Sequence, residues 1–264
     1  MSKFDRFAPV LLLATILLAF GVGVLWQKVT NLEKGGTPTA TTTQANQQQA
    51  AAPSKTIDIN VVKGLFDKNL IKFGDKNKKV LFVEITDPSC PYCHVANGKN
   101  PEIGLQMGTQ FKYVSAGGTY IPPVTEMRKL VDSGKASYVS IYFPGHGNGE
   151  IAAKALHCAN DQGKYWQAHD LLYSNKGYDL INNVVKNDKA QSGAMADFLK
   201  SAADSVKIKE CLESGKYDTQ LTDEQNLSST LGVAGTPGFF INSTAFNGAY
   251  SFKDMQSTVD AALK

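Results

Sequence analysis

Hydrophobic and polar residues follow different patterns along the chain, and the first pattern is a long apolar run. From Phe7 to Trp26, about 20 residues carry no charged side chain. A helix of that length is roughly 30 Å long, enough to cross the hydrocarbon core of a bilayer. Because Lys3 and Arg6 precede the run, we expect the tail to stay cytoplasmic and the rest to be exported. The pattern predicts a membrane anchor; the alternatives are a buried soluble helix and a cleaved signal peptide, although no A-x-A-like site follows Phe20.

The composition changes after the apolar run. Gly35–Pro53 has no charge and almost no side chain large enough to bury. Such a segment cannot offset the entropy of ordering, so it predicts a flexible tether. We therefore divide the chain into a tail, anchor and flank (1–34), a tether (35–53), and one domain (54–264) that is large enough for a hydrophobic core.

Shorter patterns predict elements inside the domain. Thr56–Val61 alternates in polarity and predicts an edge strand, whereas the nearly continuous apolar run Val80–Ile85 is typical of a strand covered on both faces. Asn247–Gly248 predicts a hairpin turn between two short strands. Ser251 with Asp254 predicts a capping box at the start of a final helix.

Composition and charge exclude some function classes. The chain is 42% hydrophobic and 19% charged, which is typical of a globular protein. Its net charge of +3 is too small to indicate a nucleic-acid partner. Four cysteines among 264 residues do not make a disulfide-dense scaffold. In an exported domain, however, a few cysteines can be structural or redox-active.

The segment Cys90-Pro91-Tyr92-Cys93-His94 follows directly after the buried strand. Pro91 suits the first turn of a helix, which puts Cys90 at that helix's N-terminus. Unpaired N–H groups and the helix dipole stabilise a thiolate there and lower its pKa. Cys93 lies one turn further on, where we expect it to be shielded from solvent and able to bond to Cys90. The motif predicts a dithiol–disulfide redox pair, with His94 as a helix residue beside it.

Two other chemistries use the same residues. C-P-Y-C-H satisfies the C-x-x-C-H signature of haem attachment, and zinc could use Cys158 and Cys211 as further ligands. Haem attachment needs no preceding strand, and Cys158 and Cys211 lie 53 residues apart instead of forming a second C-x-x-C. A buried strand, then C-x-x-C, then a helix is the thioredoxin arrangement. We therefore expect no metal and no cofactor.

A second signal of the same fold lies near the C-terminus. Leu231–Asn242 has the pattern of a helix end, a tight loop and a strand. Pro237 enters this strand, where its missing N–H fits a cis peptide in a tight turn; a trans proline that starts the strand is the alternative. In a thioredoxin fold this loop packs against the C-x-x-C, and Thr236 offers backbone groups to an extended substrate.

The strand before C-P-Y-C, the block G-T-P-G-F-F-I-N and the segment around Cys158 together resemble the DsbA family of thiol-disulfide oxidoreductases. The resemblance covers most of Thr56–Lys264. It implies an α/β chain with a thioredoxin fold, here preceded by the single transmembrane helix. A helical domain, residues 144–214 approximately, would be inserted after a third strand at Tyr138–Phe143.

The resemblance also implies roles for individual residues. Cys90 resembles the attacking nucleophile, Cys93 its buried partner, and Thr236-Pro237 the cis-proline loop. Glu84 matches a buried acid that moves protons to and from the inner thiol, and it is the only ionisable residue of its apolar strand. A solvent-exposed Glu84 is the alternative. The implied partners are reduced exported proteins as substrates and a quinone-linked membrane oxidase as re-oxidant, at the outer face of the cytoplasmic membrane.

Two departures from the family pattern leave alternatives open. Tyr92 stands where the strongest oxidants of the family carry histidine, and it supplies no positive charge to stabilise a thiolate. A reductase or isomerase therefore stays an alternative to an oxidase, as does a non-catalytic thioredoxin-fold binding module. The second departure is an extra stretch, residues 97–123, which would contact partners or form a passive surface loop.

The remaining cysteines and histidines suggest structural roles. Cys158 and Cys211 each fall within an amphipathic helical pattern, and in an exported domain we expect them to form a structural disulfide. Two free thiols and a second redox pair are the alternatives. His146, His157 and His169 have no metal-ligand spacing, so we expect them to be solvated or packed in the core.

Overall fold

The computed structural model describes residues 56–264. The predicted anchor and tether lie outside the described residues. No helix within residues 56–264 combines the length and the hydropathy that crossing a bilayer requires. The described residues fall within one compact unit of the chain, residues 48–264.

Five strands form one mixed sheet in the order β1-β3-β2-β4-β5. β2 pairs in parallel with β3, and the other neighbouring strands pair antiparallel. The buried strand predicted at Val80–Ile85 is confirmed, and the third strand implied at Tyr138–Phe143 is present as β3; every residue of β2 and β3 is buried. The strands are β1 (Ile71–Phe73), β2 (Val80–Thr86), β3 (Ala136–Tyr142), β4 (Gly238–Ile241) and β5 (Thr244–Asn247).

Helices cover both faces of this sheet, which makes the fold a thioredoxin-like α/β fold. The final helix begins with the predicted capping box of Ser251 and Asp254. Helical structure between β3 and β4 runs from Glu150 to Thr230, beyond the residue 214 at which we placed the end of the insert. The helices are α1 (Ile59–Leu65), α2 (Pro91–Asn97), α3 (Pro101–Met107), α4 (Pro123–Asp132), α5 (Glu150–Asn160), α6 (Tyr165–Leu172), α7 (Asn175–Asp179), α8 (Ser192–Phe198), α9 (Ser205–Ser214), α10 (Asp218–Thr230) and α11 (Phe252–Leu263), with a π-helical segment at Leu180–Val185.

The edge strand predicted at Thr56–Val61 is wrong, because α1 begins at Ile59 and occupies the second half of that segment. The Asp58 side chain accepts a hydrogen bond from the backbone N–H of Asn60 at 2.8 Å and caps the helix. Val62 and Leu65, three residues apart, are the buried positions of α1. A six-residue alternation is too short to distinguish a strand from the start of such a helix.

The predicted hairpin turn at Asn247–Gly248 is also wrong, because the turn of the hairpin lies before β5 and not after it. β4 and β5 are joined by Asn242 and Ser243, and Asn247 is the last residue of β5. Asn242 has φ of 51°, a left-handed conformation that asparagine tolerates well. Its side chain also accepts a hydrogen bond from the Leu81 N–H at 2.8 Å. The hairpin is therefore tied to β2.

The core lies on both sides of the sheet. One cluster, which includes Phe82 and Tyr138, packs against α2, α4, α11 and the helices that follow β3. The other, which includes Val83 and Phe240, packs against α1 and the end of α10. β2 is the central strand of the sheet. Its carboxyl end therefore delivers the chain from the middle of the core directly to the cysteine motif.

Candidate active site

The chain leaves β2 at Thr86 and reaches Cys90 through a short, tightly bonded loop. The buried Asp87 carboxylate accepts hydrogen bonds from the Ser89 N–H at 2.8 Å and the Ser89 hydroxyl at 2.7 Å. Its other oxygen accepts from the His146 N–H at 2.7 Å. Asp87 therefore fixes the loop that precedes Cys90 to the loop that follows β3. This role of Asp87 was not predicted from the sequence.

Cys90 is the N-cap residue of α2 and Pro91 is its first residue, the placement that the motif predicts. Cys90 and Cys93 are both free thiols and both buried. A hydrogen bond from the Cys93 side chain lowers the pKa of Cys90 from 9.0 to about 7 and outweighs the opposite effect of burial. The outer thiol is therefore substantially ionised near neutral pH.

The inner thiol behaves in the opposite way. Cys93 is completely buried, and burial raises its pKa well above the ordinary value. The hydrogen bond and the charge of Cys90 add to this rise, whereas the Asp87 N–H, 3.5 Å from the Cys93 sulfur, opposes it. Of the two thiols, Cys90 is therefore the one that can attack or leave as a thiolate.

The cis-proline loop lies against the outer thiol. The Thr236–Pro237 peptide bond is cis, as the sequence predicts, and the carbonyl oxygen of Thr236 lies 3.5 Å from the Cys90 sulfur. Gly145, after β3, is close to the same loop: a Cβ there would overlap the Thr236 hydroxyl. Three segments far apart in sequence thus converge at the carboxyl end of β2.

Glu84 is buried in β2 with 1% of its surface exposed, so the solvent-exposed alternative is wrong. One carboxylate oxygen accepts a hydrogen bond from the Tyr138 hydroxyl, and the other accepts from the Asn97 amide at 3.1 Å. The same amide nitrogen donates to the backbone carbonyl of Cys93 at 2.8 Å. Asn97 therefore joins Glu84 to the inner cysteine residue.

The stretch 97–123 is packed against α2. Its cluster is formed by Val95, Ile103, Phe111, Tyr113 and Tyr120. The half-buried ring of Tyr92, from the C-P-Y-C motif, meets Phe111 edge-on at 5.7 Å between ring centroids. The stretch therefore supports the active-site helix from one side.

Cys158 and Cys211 form a disulfide, S–S 1.99 Å, that joins α5 to α9. This is the pairing we expected, and it lies in the helical region between β3 and β4. Within residues 56–264, no group of three or more His, Cys, Asp or Glu side chains is arranged to hold a metal ion.

Three of the histidines are buried, and two of them reach the active-site helix. His94 has its ring nitrogens 3.0 Å from the Tyr173 carbonyl and 2.8 Å from the Pro88 carbonyl, and burial lowers its pKa to about 4. His169 contacts Asn97. His94 directly follows Cys93 in the sequence, whereas no spacing connects His169 to the cysteines.

Comparisons with known proteins agree with this geometry. A family model described as Thioredoxin matches residues 125–261, just over half of the chain, beginning after the C-P-Y-C motif. A Rickettsia conorii protein with the provisional name protein-disulfide oxidoreductase is 26% identical over 233 residues, which are 84% of this chain and 69% of that protein.

Two further comparisons concern a longer relative and a solved structure. The Na⁺/H⁺ antiporter NhaA 1 of Salinispora arenicola is 25% identical over 197 residues; they cover 72% of this chain and only 24% of the antiporter. The crystal structure of Wolbachia pipientis α-DsbA1 superposes with a TM-score of 0.55 at 20% identity, covering 74% of this chain and 91% of that one.

The fold and the site define a thioredoxin-fold protein with a paired dithiol at the N-terminus of a helix. The chain belongs to the thioredoxin family. It is similar in sequence to proteins named protein-disulfide oxidoreductase and in fold to solved DsbA structures.

Proposed function

We propose that this chain is a membrane-tethered thiol-disulfide oxidoreductase that introduces disulfides into exported proteins through Cys90 and Cys93. The observation that carries the proposal is the contrast between the two thiols. Cys90 has a pKa lowered to about 7, and the pKa of Cys93 is raised by burial. A thiolate that is stable at the outer position favours the reduced enzyme, which makes the disulfide form an oxidant.

The reaction begins with a disulfide between Cys90 and Cys93. A substrate thiolate attacks the Cys90 sulfur, a mixed disulfide forms, and the electron pair of the broken bond goes to the Cys93 sulfur. Because a buried thiolate is unfavourable, Cys93 takes up a proton, and Glu84 is the donor in this proposal. A second substrate thiolate then attacks the substrate sulfur of the mixed disulfide, which releases the oxidised product and leaves Cys90 as a thiolate.

The surrounding residues would orient the substrate. The carbonyl of Thr236, held by the cis bond to Pro237, lies beside Cys90 and offers an acceptor to an extended peptide. Pro91 starts the helix that stabilises the thiolate. Tyr92, the next residue of that helix, contacts Phe111. The disulfide of Cys158 and Cys211 stays closed during turnover.

The proposed location rests on the sequence. The uncharged run from Phe7 to Trp26 would anchor the chain, and residues 35–53 would hold the domain at the outer face of the cytoplasmic membrane. Reduced exported proteins are the substrates there, and a quinone-linked membrane oxidase restores the disulfide.

The deciding experiment measures disulfide formation in a reduced peptide. Cys90→Ser is expected to abolish it. With oxidised glutathione supplied as the oxidant, Cys93→Ala is expected to accumulate a mixed disulfide at Cys90, because no inner thiol can resolve it. The double variant Cys158→Ala/Cys211→Ala is the matched control and should keep the activity. Activity in Cys90→Ser would overturn the proposal.

A reductase is the second candidate, because Tyr92 brings no positive charge to the thiolate. The reduction potential of Cys90 and Cys93 against glutathione separates the two directions. A reduction potential of about −120 mV supports an oxidase, and a potential of about −270 mV supports a reductase.

A further inference from the structure

The buried polar groups behind the active-site helix form one hydrogen-bonded chain. It runs from Glu84 in β2 through Asn97 in α2 to His169 and Asp170 in α6. Glu84 and Asn97 are each 1% exposed and His169 is 2% exposed, whereas a third of the Asp170 side chain reaches solvent. Three separate elements are therefore joined by side chains that have no contact with water over most of their length.

The orientation of the Asn97 amide follows from its neighbours. One end of the amide faces two acceptors, a carboxylate oxygen of Glu84 at 3.1 Å and the Cys93 carbonyl at 2.8 Å. Only the NH₂ group can satisfy both, since an amide oxygen would meet two oxygens there. The Asn97 oxygen must then face His169, whose Nε2 lies 2.5 Å away and donates the hydrogen bond.

His169 is in turn held by a charged group at the surface. Its Nδ1 lies 3.2 Å from an Asp170 oxygen, and Asp170 also pairs with Lys99 at 2.9 Å and Arg128 at 3.1 Å. Burial opposes ionisation of Asp170, but its contacts with His169 and Lys99 lower the pKa of its carboxyl. The remaining groups that pack against the His169 ring are Tyr165, Trp166 and Tyr173, with His94 close enough to interact electrostatically.

We propose that Asn97 and His169 are positioning residues for the buried acid. The N–H of His169 locks the Asn97 amide, and the locked NH₂ group holds the Glu84 carboxyl beside the backbone of Cys93. The inference rests on the proposed function, in which Glu84 gives its proton to the departing Cys93 sulfur. The Asn97 NH₂ group then faces a new carboxylate and stabilises it. Without the His169 N–H, Asn97 can turn its oxygen toward Glu84 and oppose that charge.

The test compares His169→Leu, which removes the N–H donor, with His169→Gln, whose amide can still donate to Asn97. The full chain in its oxidised form reacts once with a reduced peptide between about pH 5 and 9, and the rate of Cys93 release is followed. We expect His169→Leu to slow this step about tenfold or more and to alter its pH profile, because general acid catalysis contributes about 10²–10⁴-fold. His169→Gln should recover most of the rate. Ionisation of Cys90 should be unchanged in both.

His157 provides the matched control. It is also buried, 6% exposed, on a helix that follows β3, and its Nε2 lies 3.0 Å from an oxygen of Glu224. His157→Leu should lower stability without a selective effect on Cys93 release. The inference is overturned when His169→Leu reacts at the wild-type rate, when it is slowed no more than His157→Leu, or when His169→Gln fails to recover.

A measurement on the wild-type protein tests the inference even when the His169 variants do not fold. The ¹⁵N spectrum of the reduced protein should show a proton on Nε2 of His169, and a lone pair there overturns the inference. Failure of this inference can be distinguished from failure of the proposed function. A chain that exchanges with glutathione but does not oxidise a peptide fails as an oxidase, while its glutathione kinetics still report on His169.

Discussion

Cys90 and Cys93 are three positions apart, yet their environments shift their pKa values in opposite directions. The position of Cys90 at the start of α2 could be predicted from Pro91 and the preceding strand. The lowered pKa of Cys90 could also be predicted from that position. Its largest cause, a hydrogen bond from Cys93, could not, and neither could the extent to which burial raises the pKa of Cys93. Burial depends on how the rest of the chain packs, which the motif alone does not contain.

The lowered pKa of Cys90 predicts a pH-dependent stability of the reduced protein. A thiol whose pKa falls from 9.0 to about 7 on folding adds stability that is complete above pH 9 and is lost as pH falls through about 7. Two units correspond to about 2–3 kcal/mol. We expect the free energy of unfolding of the reduced form, relative to the oxidised form, to rise by this amount between about pH 6 and 9. Denaturant titrations of both forms measure it.

Reduced Cys90→Ser is the control for this prediction, because it lacks the ionising group and keeps Cys93. Its stability relative to the oxidised wild type should stay nearly constant below about pH 9. A reduced wild-type protein with the same flat profile would contradict the prediction. So would a thiolate absorbance of Cys90 that titrates at its ordinary value.

The contacts that connect Glu84 to the surface could not be predicted from the sequence. Glu84 could be singled out because it is the only ionisable residue of an apolar strand. His169 lies 72 positions from Asn97, its hydrogen-bond partner, and no local spacing marks either of them. The sequence therefore left His169 either solvated or packed in the core. It lies in the core, with a contact to Asn97 that the sequence did not indicate.

At the scale of elements, the continuous apolar run of β2 was interpreted correctly, and the alternating pattern at Thr56 and the turn dipeptide were not. The run predicted a buried strand because continuous hydrophobicity needs cover on both faces. The six residues at Thr56 and the dipeptide Asn247–Gly248 each permitted two local structures. Packing decided between them: α1 has Asp58 as a cap, and Asn242 makes the hairpin turn that reaches Leu81.

The close approach of Gly145 to the cis-proline loop predicts a loss of activity. In Gly145→Ala the new Cβ overlaps the Thr236 hydroxyl, so the loop must move away from Cys90. Because displacements of about 1 Å at a reacting centre can cost about 10²-fold, we expect up to that loss in the rate of substrate attack. Stopped-flow measurement of mixed-disulfide formation checks it.

Gly235→Ala is the matched control for Gly145→Ala. Gly235 lies in the same cis-proline loop, has no positive φ, and a Cβ there meets nothing within 4 Å. This variant should react at close to the wild-type rate. Equal losses in the two variants would show that the loop tolerates no substitution, and would contradict the specific contact.

The packing of the stretch 97–123 predicts a contribution to stability. Phe111→Ala removes a buried ring from the cluster under Tyr92, and such truncations cost about 3–5 kcal/mol. We expect the free energy of unfolding to fall by that amount in urea titrations. Val114→Ala, at a side chain 54% exposed in the same stretch, should change it by no more than about 0.5 kcal/mol.

At the scale of the whole molecule, we expect the disulfide between Cys158 and Cys211 to stabilise the fold and to take no part in the redox reaction. Cys158 and Cys211 close a loop with a sequence separation of 53, for which the chain-entropy estimate is about 4 kcal/mol. We expect Cys158→Ala/Cys211→Ala to lose about that much free energy of unfolding in denaturant titrations, while the reduction potential of Cys90 and Cys93 stays the same. A shifted potential would show that the two pairs are coupled.

The contact between Cys90 and Thr236 also sets an order of assembly. These residues are 146 positions apart, and β4, which follows Thr236, pairs directly with β2. A chain that is synthesised from its N-terminus exposes its cysteine motif long before the loop that completes the site. During that interval the motif has neither the Thr236 carbonyl nor the neighbouring strand. The newly synthesised chain thus carries reactive thiols without a complete site until the residues around Thr236 and β4 have been made.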